Sequence, residues 1–220
     1  MILLLVLGGI YGNPGSSGQA VGQNTASYYL LGLTAAFIMA NGVIGLTNAG
    51  SELKRNGVLR RLSATPLTKL EWLLGNFLSQ IVLAVALTAV MLILGIVLYD
   101  VSIFINAYFL ATLFLGVLLF SGLGMSLAGL VKDPEAASGL GNIVAFPMML
   151  LSGTFWPINS MPSYLQTVAR ALPLTYFADG LRNSMVSADI SSAFTDLVIV
   201  AAFALVLVLL GAKLTQWKES

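Results

Sequence analysis

Glu52-Leu-Lys-Arg-Asn-Gly-Val-Leu-Arg-Arg-Leu-Ser-Ala-Thr-Pro-Leu-Thr68 lies between long apolar stretches and holds four of the ten basic residues, Lys54, Arg55, Arg60 and Arg61. Lys69 follows at once. An Arg or Lys near the middle of a bilayer costs roughly 2.5–3.5 kcal/mol, against a gain of roughly 0.5 kcal/mol for a Leu. Five such charges in so short a run cannot lie in hydrocarbon, so the stretch sits in water beside a membrane. Leu53, Val58, Leu59 and Leu62 can share one side of a helix, with the basic residues over the rest. Thr65-Pro66 interrupts that helix, because Pro lacks the backbone donor and restricts the residue before it. Thr68-Lys-Leu-Glu71 reads as a capping box, with Leu67 and Trp72 as its hydrophobic staple. The plainer alternative is a basic loop that only fixes orientation.

The composition agrees with a membrane setting. Of 220 residues, 58% are hydrophobic and 9% charged, where soluble domains carry about 25% charged residues. With no Cys and no His, disulfides, thiol chemistry, His-ligated metals and Ser/His or Cys/His catalysis are excluded. No GxxxxGK[ST] run offers an ATP phosphate cradle, and no basic-aromatic array suggests nucleic acid.

Working outward, five full spans are expected, at 28–50, 72–99, 104–131, 136–156 and 193–212, with a partial one at 1–11. The partial run reads as the tail of a first span cut short or, less well for want of a preceding Lys or Arg, as a signal-peptide core. Gly12–Ser27 reads as a polar loop. Asn41, near the middle of its span, suits an interhelical hydrogen bond or contact with a transported molecule. Asp100-Val-Ser102 makes a tight turn. Asp133 fits a helix cap with Pro134 at the first helical position, and Pro147 should kink the helix that follows. Residues 157–192 form an outer segment of interfacial or re-entrant helices, broken at Pro173. There Asp179 and Arg182, three apart, are read as a solvated pair. Eight Lys and Arg fall on one set of alternate loops and two on the other, which puts the basic stretch and the C-terminus in the cytoplasm. The fold class is thus an all-α, multi-pass integral membrane protein, one transmembrane domain over 1–220.

Two blocks in matching topological places, Glu52–Thr68 and Leu151-Ser-Gly-Thr-Phe-Trp-Pro-Ile-Asn-Ser-Met-Pro with Leu172-Pro-Leu-Thr-Tyr and Leu181-Arg182, resemble the membrane subunits of type-2 ATP-binding-cassette exporters, the permeases of drug-resistance, polysaccharide and nodulation-factor export. The resemblance implies a prokaryotic plasma-membrane permease that moves an amphipathic compound outward, as a homo- or heterodimer in membrane lipid. ATP and Mg would be bound on a separate ATPase subunit, so this chain is no enzyme and holds no cofactor. Residues 52–64 would be the coupling helix that docks on that ATPase, through Glu52, Arg55, Gly57, Arg60, Arg61 and Leu62. Asn41, Phe146, Met149 and Thr154 would contact substrate. Members of this family begin with a cytoplasmic amphipathic segment and a complete first span, both expected to be cut short here. An ATPase-coupled immunity or sensing protein that transports nothing is the alternative.

Overall fold

The computed structural model describes residues 19–58, 69–99, 105–131, 133–187 and 190–214, which are helical with short connections. We number the α-helices α1 (Gln19–Ala40), α2 (Leu46–Arg55), α3 (Lys69–Tyr99), α4 (Ala107–Leu130), α5 (Pro134–Leu151), α6 (Ser163–Ala171), α7 (Pro173–Arg182) and α8 (Ile190–Leu214). A π-helical turn, Asn41–Gly45, joins α1 to α2, and another, Asn183–Ser187, follows α7. Among the described residues four helical stretches are long and apolar enough to cross a membrane: Ser27–Arg55, Leu74–Leu98, Ala107–Leu130 and Ser191–Leu214. Helix α5 has 18 residues and opens on Pro134-Glu135. It also carries Ser138, Asn142 and Pro147, so it is less apolar than the four.

Several expected boundaries move. Residues 19–27, read as loop, are helical, because a nucleated helix extends cheaply through Gln and Ala when no Pro stands in the way. The first full span does not stop at Gly50. It runs on through Glu52-Leu-Lys-Arg to Arg55 and ends at an Asn56-Gly57 turn, where Gly57 takes φ +64°. Residues 52–55 are therefore its last turn. Leu59 to Thr68, with Arg60, Arg61, Leu62, the Thr65-Pro66 break and the capping Thr68, lie outside the described residues, as do the partial span at 1–11 and the turn at 100–102. Helix α4 starts at Ala107, three residues after the expected start, where Asn106 Oδ1 accepts from the Phe109 amide at 2.8 Å. Asp133 does cap α5, with its Oδ2 taking the Ala136 amide at 3.3 Å. Pro147 lies inside that helix.

Helix α5 also ends five residues before Trp156. Gly153 sits at φ +72°, the left-handed region that glycine enters without steric penalty. Two hydroxyls then bond back to the helix end: Ser152 Oγ donates to Met148 O, which also accepts the Ser152 amide, and Thr154 Oγ1 donates to Met149 O. These polar residues close the helix and do not prolong it.

The described residues form two compact units, each discontinuous in sequence. The first holds 19–37, 85–99, 105–113, 148–187 and 190–199. Phe109, Leu174, Phe177 and Leu181 are almost wholly buried in it. Pro173 opens α7, and Thr175 Oγ1 donates back to Ala169 O at 2.6 Å, closing the α6–α7 corner. Asn106 Nδ2 donates to Ser184 O at 2.7 Å.

The second unit holds 38–58, 69–84, 114–131, 133–147 and 200–214. Leu46, Phe77 and Met125 form its core, with Trp72, Leu118 and Val208 against them. Backbones meet here without side chains between. A methyl at Gly124 would collide with Gly42 O and stand 3.0 Å from Val43 O, and one at Gly122 would stand 2.8 Å from Val208 N. Such small-residue crossings replace the hydrophobic drive that lipid cannot supply. Hydroxyls add to them. Thr47 Oγ1 is shared between Val43 O and Gly124 O, and Ser126 Oγ between Gly122 O and Leu207 O.

Candidate functional site

The basic end of the second unit sorts its charges by role. Lys54 Nζ donates to Ala128 O at 2.6 Å and to Gly129 O at 3.0 Å. These carbonyls belong to the last turn of α4, which leaves its final carbonyls without intrahelical donors and carries partial negative charge. Lys54 thus fastens the end of α2 to the end of α4. Glu52 and Arg55 are exposed, and nothing stands within 4 Å of where a Gly57 side chain would begin. Three of the six expected coupling positions are accordingly placed at an open, charged helix end. The other three are those outside the described residues.

Away from this charged end, the exposed surface of the unit is of two kinds. Helix α3 shows Leu74, Leu78, Val82 and Leu83, and α8 shows Leu205, Val206, Leu209 and Leu210, the aliphatic faces expected against lipid tails. The other kind carries amides and glycines: Asn41, Gly45 and Ala49 on the π turn and α2, and Gly139, Asn142, Ile143 and Phe146 on α5. The two stripes belong to helices in contact, since a Gly141 methyl would lie 3.3 Å from Ile44 Cα. Asn41 and Phe146 are exposed together in this unit. The π turn at Asn41 was not legible from apolar periodicity. Such turns widen a helix locally and cluster at functional positions.

In the first unit, Met149 is half-buried. Thr154 is fully buried and spends its hydroxyl on Met149 O, so it shapes the end of α5 from within. Nearby lies a cluster that sequence reasoning missed. Arg182, expected in water, is only 7% exposed. Its Nη1 donates to Asp179 Oδ1 at 2.9 Å and its Nη2 to Gly153 O at 2.9 Å. The guanidinium lies 3.7 Å from the centre of the Tyr28 ring, and Tyr28 Oη donates to the same Gly153 carbonyl at 2.7 Å. One Arg therefore joins α7, the left-handed turn after α5, and α1. Gly32 makes room, because a methyl there would stand 2.5 Å from Arg182 Nη2 and 2.7 Å from Thr154 O. Burial pushes the Asp179 carboxyl up from its ordinary range, against the opposing charge and hydrogen bond of Arg182. Nothing local in the sequence marks Arg182 as a neighbour of Tyr28. Among the described residues no three His, Cys, Asp or Glu gather to hold a metal ion.

Comparison with known proteins fits this picture. The family model of the ABC-2 type transporter matches residues 1–186. The linearmycin resistance permease protein LnrN of Bacillus subtilis is 27% identical over 68% of this chain and 39% of its own length. The putative transport permease YvfS of the same organism is 23% identical over 88% of this chain and 79% of its own. The daunorubicin resistance ABC transporter permease protein DrrB1 of Streptomyces coeruleorubidus is 26% identical, over 90% and 71%. The chain thus spans about two fifths of the length of the first of these relatives and over two thirds of the other two.

Proposed function

The chain belongs to the ABC-2 type transporter family, and from that premise we propose that it works as the permease subunit of an exporter, moving an amphipathic compound outward on ATP hydrolysed by a separate subunit. The observation that carries the reading is the amide- and glycine-bearing surface of Asn41, Gly45, Gly139, Asn142 and Phe146, beside faces that are otherwise aliphatic. Polar groups in a span face a protein interior or a wet path and avoid lipid. A second permease subunit, the same or different, would cover this surface and complete a path between the two. Asn41 and Phe146 would touch cargo on it; in the first unit Met149 would do so as well, and Thr154 would hold the end of α5 in place. Relatives named for resistance to linearmycin and daunorubicin support a drug-like cargo.

Coupling to the ATPase is assigned to 52–64, through Glu52, Arg55, Gly57, Arg60, Arg61 and Leu62. Eight of the ten basic residues fall on that side of the membrane by the alternation of loops, which favours a cytoplasmic basic end and C-terminus in a prokaryotic plasma membrane. The test is twofold. Replacing Arg60 and Arg61 together with Glu should abolish co-purification of the ATPase while membrane insertion is kept; unchanged co-purification would remove 52–64 from the interface. Reconstituted with the ATPase, the wild-type chain should drive ATP-dependent flux of a labelled amphiphile. Hydrolysis without flux would instead mark a sensing or immunity protein.

A further inference from the structure

A carboxylate stands inside the last apolar helix. Asp196 lies five residues past Ser191, where the span Ser191–Leu214 begins, about 7.5 Å along the axis at about 1.5 Å per residue. Ionisable groups at such positions are costly and mark sites for ions, protons or ligands. Asp196 is half-buried, and its Oδ2 accepts from Asn183 Nδ2 at 2.8 Å. Among the described residues no Lys or Arg pairs with it. Its charged neighbour is Asp179, of the same sign, and Asp179 already holds Arg182.

Beside it is a second group without a partner. Thr112 of α4 is 1% exposed, and among the described residues its Oγ1 meets no hydrogen-bond partner. Helical Thr normally bonds back one turn, as Thr34 and Thr47 do here. Thr112 and Asp196 meet at Gly180 of α7. A methyl there would stand 3.0 Å from Thr112 Cγ2, 3.4 Å from Asp196 Cβ and 3.7 Å from Thr112 Oγ1. Three helices thus bring an acid lacking a cation and a hydroxyl lacking a partner against one glycine.

The chemistry of a ligand that would suit both groups follows. It must be positive to match Asp196 and must offer more than one N–H or O–H to reach Thr112 as well. A bare proton on Asp196 would cancel the charge and still leave Thr112 unmet. Calcium takes six to eight oxygens, more than one carboxylate and a hydroxyl provide. An alkylammonium meets both demands. We propose that Asp196 and Thr112 form a subsite for the protonated amine of an amphipathic cargo, with the apolar body of the cargo left in the surrounding membrane. The subsite deepens the export reading above and rests on it for the word cargo, while binding itself is testable alone.

The probe is a dansylated alkyl primary amine, with its N-acetylated twin as the uncharged control, titrated onto the full chain in detergent. Wild type should bind the amine about tenfold more tightly than the twin, the scale of one hydrogen bond to a charged group. Asp196→Asn should erase that preference and Thr112→Val should reduce it, with the affinity for the twin unchanged in both. Equal affinity of wild type for the two probes needs no variant to fold and overturns the subsite, as does a preference that survives Asp196→Asn. Because no ATPase is present, these results are separate from a failure of ATP-driven flux, which would overturn the export reading alone.

Discussion

Replacing Arg182 with Ala removes a cation that ties three parts of the first unit together, and the cost can be worked from its contacts. The bond to Gly153 O joins a charged donor to a buried carbonyl at 2.9 Å, worth about 1.5–3 kcal/mol. The pair with Asp179 is discounted to about 1 kcal/mol, because that carboxylate is 39% exposed. Stacking on Tyr28 adds about 1 kcal/mol, while the 3.4 Å approach of Nε to Tyr28 O adds little. Together the loss is roughly 3.5–5 kcal/mol. At about 2–4 °C per kcal/mol for a chain of this size, the melting temperature should fall by about 10 °C. Fluorescence-detected melting of detergent-purified protein measures it. Arg182→Lys keeps the charge without the planar fork and should lose about half as much. Tyr28→Phe keeps the ring, loses the 2.7 Å bond to Gly153 O and should cost about 1 kcal/mol. Tyr28→Phe with Arg182→Ala should exceed the sum of the two, because only the double variant strips the Gly153 carbonyl of both these donors. An Arg182→Ala protein melting within about 2 °C of wild type, or an additive double variant, would refute the reasoning.

Gly124→Ala drives a methyl into Gly42 O and close to Val43 O, so melting should drop by the equivalent of about 1–3 kcal/mol of overpacking. Gly75→Ala, with nothing within 4 Å, is the contrast and should stabilise α3 by about 0.5–1 kcal/mol in the same assay. Lys54→Met removes the donors on Ala128 O and Gly129 O. Amide exchange in the last turn of α4 should then speed up by about tenfold, read by mass spectrometry against the turns nearer its middle.

The helical spans were legible because lipid imposes a single demand, about twenty apolar residues with every backbone group satisfied along the helix. That demand places α3, α4 and α8 to within three residues. It says nothing of helix ends set by one torsion angle. Ser152, Thr154 and Trp156 are apolar enough in company to extend a span, and only Gly153 at φ +72° shows that α5 has stopped. The π turn at Asn41 adds one residue to a period that still reads as helical. Arg182 was misplaced because a spacing of three describes its own helix and not Tyr28, which lies 154 positions away in sequence. Asp196 is the lone acid of residues 191–214, a signal that the reading of apolar runs passes over. What could not be seen is that Thr112, from another helix, shares its corner.

Lys54 is the feature whose effect reaches furthest. By gripping the carbonyls that close α4, it welds two rods at their tips, just where the first of them gives way to the turn at Asn56. A tug on the chain beyond that turn would not bend one rod away from its neighbour. The load would be split between both at the joint and carried up them as a pair.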